Sequence, residues 1–114
     1  MGHEDLSIYI RWETFLFWLL NTTGKFPKRV RFTFSSRLDN LALDVLEGIV
    51  EAAYSSRKLD LLKKMNLDLE KMRVLIRICH KNEYIGNRGY EHAARQLHEI
   101  GKMMGGWIKE QKER

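Results

Sequence analysis

The sequence holds one cysteine, Cys79, and one proline, Pro27. A lone cysteine excludes an intrachain disulfide. Cys79 closes the stretch 74–79, apolar but for Arg77, where a small buried hydrophobe is expected rather than a nucleophile. Its neighbour His80 would point about 100° away on a helix and could not serve it as a base. A single thiol suits a reducing, cytoplasmic compartment. Long hydrophobic runs are also missing. The longest strongly apolar run, 15–20, is far short of the ~20 residues a membrane helix needs. Met1-Gly2-His3-Glu4-Asp5 is acidic where a signal peptide is basic, so no membrane partner is expected. No HExxH, CxxC or P-loop pattern occurs. None of the four histidines has Glu three residues before it, the spacing of a di-metal bundle. His92 and His98, six apart, make poor co-ligands. No nucleophile, acid–base pair or metal spacing survives, so neither an enzyme nor a metal or other cofactor is expected.

What is present is an ordinary globular composition: 44% apolar and 31% charged residues in a chain of 114, enough for one domain over 1–114 with one core. The net charge of +5 favours contact with a polyanion such as nucleic acid, or with an acidic protein surface.

Four helical patterns follow one another. Tyr9, Trp12, Leu16, Leu19 and Leu20 keep helical spacing within 6–20. Ile8, Phe15, Phe17 and Trp18 widen that stripe until the helix needs a second covered face, which another subunit could supply. Asn21-Thr22-Thr23-Gly24 ends it. Leu38, Leu41, Ala42, Val45, Leu46, Ile49, Ala52 and Ala53 form a second stripe. That helix is expected to begin between Pro27 and Ser36, where Ser36 and Asp39 have capping-box spacing, and to end at Ser55-Ser56, which can cap the next. The third pattern, 57–81, carries Leu59, Leu62, Met65, Leu69, Met72, Leu75, Ile76 and Cys79, with Leu61, Leu67, Val74 and Ile78 off the stripe. Residues 82–89 read as a turn with Asn87 as a helix cap. The fourth, 90–108, is lined by Tyr90, Ala93, Ala94, Leu97, Ile100, Met104, Trp107 and Ile108, and 109–114 is expected to fray. Strand alternation is absent. Four amphipathic helices with short connections define an all-α, antiparallel up-down-up-down four-helix bundle.

Charge is laid out unevenly. Lys25, Lys28, Arg29, Arg31 and Arg37 fall in 25–37 without an acid. The second helix has only acids: Asp39, Asp44, Glu47 and Glu51. Arg73, Arg77 and Lys81 are spaced by four along the third helix; Arg88, Arg95, Lys102 and Lys109 are spaced by seven along the fourth. Each could be a solvated cation with local ion pairs, as Arg95 has Glu91 and Glu99 four residues away. Jointly, the first connection, Arg73, Arg77, Lys81, Arg88, Arg95 and Lys102 are the candidate nucleic-acid contacts. The acidic second helix also suggests charge-complementary packing between subunits. Gly101, Gly105 and Gly106 each cost about 1 kcal/mol inside a helix, so close approach of another helix or of a ring (Trp12, Trp18 or Trp107) is expected there. Trp12, Phe15, Trp18, Gly101, Gly105 and Trp107 are the candidate subunit-interface residues.

Three stretches together resemble a known family. Phe26-Pro27-Lys28 with Arg31-Phe32-Thr33 is similar to the first loop of the four-helix accessory variability determinants (Avd) of diversity-generating retroelements; residues 69–77, from Leu69 to Arg77, resemble their third helix, and 100–109, from Ile100 to Lys109, their last. The likeness runs from about Phe17 to Lys109. Four-helix proteins encoded in ribosomal RNA intervening sequences share the style of the first loop. The Avd resemblance implies a homopentameric barrel that binds the element's reverse transcriptase and template RNA in error-prone cDNA synthesis. It brings no catalytic residues, and carries the basic character of Lys28, Arg31, Arg73, Arg77 and Lys102. The alternative is an oligomeric scaffold whose basic face meets an acidic protein partner, without nucleic acid.

Overall fold

The computed structural model describes residues 1–114, with the side chains of all but His3 and Glu4. Helix α1 spans His3–Thr23, α2 Ser36–Ala53, α3 Leu59–Lys81 and α4 Asn87–Lys112. Each packs on its neighbour in sequence, and α4 closes on α1. The result is a rod of 45 × 22 × 20 Å with α1 and α3 on one diagonal and α2 and α4 on the other. No strand occurs among the described residues.

The helices form where the apolar periods predict, because most of the periodic residues are removed from water; Leu20 and Ala94 are exceptions and lie exposed. Leu38, Ala42, Val45, Ile49 and Ala52 are buried on α2; Leu62, Met65, Leu69, Met72, Ile76 and Cys79 on α3; Ala93, Leu97, Ile100, Met104 and Trp107 on α4. On α1, Ile8, Trp12, Phe15, Leu16 and Leu19 share this core. Trp12 lies fully inside, against Phe15 at 5.2 Å between ring centres. Its indole N–H donates to the Ala42 carbonyl of α2 at 2.8 Å, so the ring is buried with its polar atom satisfied. Gly48 lets α2 approach α3: a Cβ there would stand 2.8 Å from the Met65 side chain.

The expectation that Trp12, Phe15 and Trp107 form a subunit interface is corrected. All three are enclosed by the protomer's own helices, which leaves them no surface to offer a second copy. The expected caps are corrected too. Asp39 does not close a capping box with Ser36; it accepts a 2.7 Å hydrogen bond from the Thr23 hydroxyl of α1. Lys58 and Gly86, not Ser55-Ser56 or Asn87, precede α3 and α4. The Asn87 side chain instead bonds the His80 ring at 2.8 Å. Glu83 turns the α3–α4 connection with a left-handed φ of 63°. The tail stays helical to Lys112.

Truncation distinguishes core from interface. Trp12→Ala should lower unfolding free energy by about 3–5 kcal/mol, as for other large-to-small core changes. The loss should not depend on protein concentration in a denaturant titration. A loss that vanished at high concentration would place Trp12 between subunits instead.

Candidate nucleic-acid interface

The α1–α2 connection is built from a tight turn followed by a wide one. Lys28–Val30 forms a 3-10 turn after Pro27, and Arg31–Ser35 forms a π turn leading into α2. The reason lies in the register. Val30 and Ser35 are both buried and are five residues apart, one π turn. Continuing α2 backward with α spacing would instead bring Arg31 to the core side, one α turn before Ser35. Burying an unpaired guanidinium is far costlier than widening one turn. The extra residue sends Val30 inward and Arg31 outward.

This arrangement exposes the basic loop. Lys25, Lys28, Arg29, Arg31 and Arg37 all face solvent, and none of the five makes an ion pair among the described residues. Arg29 is the only one steered by a neighbour. Its guanidinium lies over the Tyr84 ring, 5.3 Å from the centre, and donates to the Tyr84 hydroxyl at 3.4 Å. Tyr84 also meets Phe26 and Phe34 at 6.2 and 5.9 Å, which ties the first connection to the one between α3 and α4. Asp39, the nearest acid in sequence, is occupied by Thr23; burial holds its carboxyl above the ordinary range. Arg31 and Arg37 reach outward and do not fold onto it.

The helical cations divide. Arg73 is held: one guanidinium nitrogen donates to Glu70 at 2.9 Å, another to the Leu97 carbonyl of α4 at 3.0 Å. A Cβ on residue 101 would stand 2.5 Å from that second nitrogen. The guanidinium of Arg73, not a neighbouring helix or a tryptophan, therefore occupies the space left by Gly101. Lys102 pairs with Glu99 at 3.3 Å. Arg77, Lys81, Arg88 and Arg95 are exposed and make no ion pair among the described residues, although Arg95 has two glutamates within a turn. Lys64 and Lys71 reach back to the buried carboxylate of Asp68 at 2.7 and 4.0 Å.

Of the remaining interface candidates, Trp18 is only partly covered, between Phe15 and His92, and Gly105 and Gly106 face open space. Of a further group, spacing marks Phe17 as surplus on α1 and Leu67, Val74 and Ile78 as off the α3 stripe, but not Leu6 or Ile10. Leu6, Ile10, Phe17 and Leu20 lie exposed along α1, with Phe17 63% accessible, while Leu67, Val74 and Ile78 lie exposed along α3. Arg11, in the groove between α1 and α4 with Ser7, Thr14 and Gln96, keeps its Nε from water without a hydrogen-bond partner among the described residues. Cys79 is inert by placement: burial pushes its thiol up to about 11. No helix among the described residues is long and apolar enough to cross a membrane.

The chain is thus a four-helix bundle with a bare cationic connection at one end. The bAvd-like family model matches residues 6–111, and the chain belongs to that family, the Avd-type accessory proteins of diversity-generating retroelements. The match includes most of α1, which the resemblance read from sequence left largely uncovered. A search of curated proteins finds no match.

Arg73 and Gly101 should be energetically coupled. Gly101→Ala alone should destabilise, because its methyl group displaces the guanidinium from Leu97. In an Arg73→Ala background the same change should stabilise by about 1 kcal/mol, the helix-propensity gain. Additive effects in this double-mutant cycle, read from chemical denaturation, would contradict the contact.

Proposed function

We propose that the protein is the non-enzymatic accessory subunit of a diversity-generating retroelement, binding template RNA and the element's reverse transcriptase through a basic oligomer surface to support mutagenic cDNA synthesis in the cytoplasm. The observation that carries this reading is the bare cationic connection, Lys25, Lys28, Arg31 and Arg37, on a chain of the Avd type. Cations that no carboxylate neutralises are free to exchange bulk counterions for phosphate. Arg77, Lys81, Arg88 and Arg95 extend the same character along α3 and α4. Arg73 contributes mainly to the bundle, because two of its five N–H donors are engaged by Glu70 and the Leu97 carbonyl.

The expected assembly is a homopentamer. The exposed apolar stripes of α1 and α3 support a head-to-tail contact, since they lie on opposite corners of one protomer and different patches meeting in turn generate a ring. Trp18 and Gly105 remain candidates for that contact. The exposed acids Asp44, Glu47 and Glu51 of α2 offer a complement to basic faces of a neighbouring copy.

RNA affinity should fall steeply with salt, and Lys28→Gln, Arg31→Gln and Arg37→Gln together should flatten the log–log slope by about 2, near 0.7 for each single-strand phosphate left without its cation. Arg73→Ala should leave the slope unchanged. An absence of RNA binding at low salt, with retention of an acidic protein partner after nuclease treatment, would favour the scaffold alternative. For the assembly, Gly105→Ala and Gly106→Ala should each stabilise an isolated protomer by about 1 kcal/mol. If a neighbouring copy approaches there, light scattering should show a smaller particle for the same variants; an unchanged pentamer would clear these glycines of an interface role.

A further inference from the structure

Phe32 is 87% accessible, the most exposed large hydrophobic side chain among the described residues. A single exposed apolar residue is unremarkable by itself, but the surroundings of this one are specific. It stands on the π turn, whose extra residue sets the outward direction of Arg31 and Phe32 while Phe34 turns in toward Tyr84. π turns inserted in helices often mark functional positions. The ring lines two open clefts. One, of about 410 Å³, is also lined by Arg31, Ser36, Asn40 and Asp39, whose carboxyl accepts from the Thr23 hydroxyl and is held above its ordinary range by burial. The other, of about 240 Å³, is shared with Thr33, Phe34 and Arg37. Each cleft thus has the same aromatic ring as a wall and an arginine without an ion pair at its edge.

We propose that Phe32 is a stacking platform for an unpaired base of single-stranded RNA, with Arg31 and Arg37 holding the phosphates on either side of that nucleotide. The inference rests on the RNA-binding reading above and adds to it a preference for unpaired over paired strands. Every base presents a π face, so stacking on an exposed aromatic ring is sequence-tolerant and needs no base-edge contact. A duplex keeps its bases stacked on one another and offers none to an outside ring. A cationic groove interrupted by an aromatic ring is the arrangement by which proteins grip single strands. An apolar protein contact would be disfavoured by the five uncompensated charges of 25–37, which would have to be dehydrated with it.

The test uses the full chain and two fluorescein-labelled RNAs of equal length, a single-stranded oligoadenylate and a blunt duplex. Phe32→Ala should weaken single-strand binding by about 5- to 100-fold, leave duplex binding and the salt slope unchanged, and leave the melting temperature unchanged because the ring is exposed. Phe32→Trp should bind like the parent, and Phe32→Leu, apolar but not aromatic, should behave like the alanine variant. If the parent binds RNA with the expected salt slope and Phe32→Ala binds the single strand equally well, stacking is overturned while the RNA-binding reading stands. If the parent binds neither RNA, both fall. A Phe32→Ala variant that retains RNA affinity but changes particle size by light scattering would reassign the ring to a protein contact and overturn the proposal.

Discussion

One register constraint governs the functional end of this bundle: the core can accept Val30 but not Arg31. Ser35 and the α2 stripe fix where the helix must point its apolar side. An ordinary α turn before Ser35 would deliver a charged side chain to the interior, and the chain absorbs one additional residue instead. A π turn loses little backbone hydrogen bonding, whereas a buried unpaired guanidinium forfeits its hydration. The same added residue rotates Arg31 and Phe32 outward together. The local cost of a wide turn is therefore also the source of a surface carrying charge and an aromatic ring side by side.

The cations illustrate why counting charge is a poor guide to where a polyanion is met. Arg73 and Arg31 are indistinguishable by type, yet one bridges α3 to α4 through the Leu97 carbonyl and Glu70 and the other has no such partner. The difference follows from Gly101. A helix with a side chain at that position could not admit the guanidinium, so the glycine's helix penalty is offset by a charge-assisted hydrogen bond to a carbonyl between helices. Lys102 is drawn to Glu99 one turn away, an exposed pair of small value that water and salt readily loosen. The cations of the first connection lack even that option, because the acids that follow them lie two or more turns further along α2 or, in Asp39, are bonded to Thr23.

The four helices and nearly all of their buried residues were legible from apolar spacing, since burial is what makes spacing periodic. The caps were not. Ser36 and Asp39 have the right separation, but Thr23, sixteen residues before Asp39, competes for the carboxylate from a different helix, and no local pattern encodes that. The width of the α1 stripe was also ambiguous. Ile8 and Phe15 read as surplus apolar residues in need of an outside partner, yet the protomer's own helices bury them. The true surplus is Phe17, which the widened stripe included, with Leu6, Ile10 and Leu20, distinguishable only once the helix is oriented. The basic character of 25–37 was evident from composition, while the isolation of Phe32 was hidden by the π turn, which breaks the period that spacing arguments assume.

These leftovers share a logic. A bundle this slender has a high surface-to-volume ratio, and its core is filled by α2, by the central positions of α3 and α4, and by one face of α1. Beside Leu43, Val50 and Tyr54 on and after α2, the apolar residues that remain form patches on α1 and on the outer side of α3, which stand at opposite corners and cannot cover each other within one protomer. A two-fold dimer would bury one patch against itself and leave the other wet, whereas a ring buries one against the other at every junction. Closing a ring would also repeat the cationic connection once per protomer around the particle. Single sites that grip one nucleotide and a few phosphates weakly would then act on one strand together, with the gain set by how far the strand must travel between them. The apolar corners and the basic connection are thus linked through symmetry, although no side chain joins them.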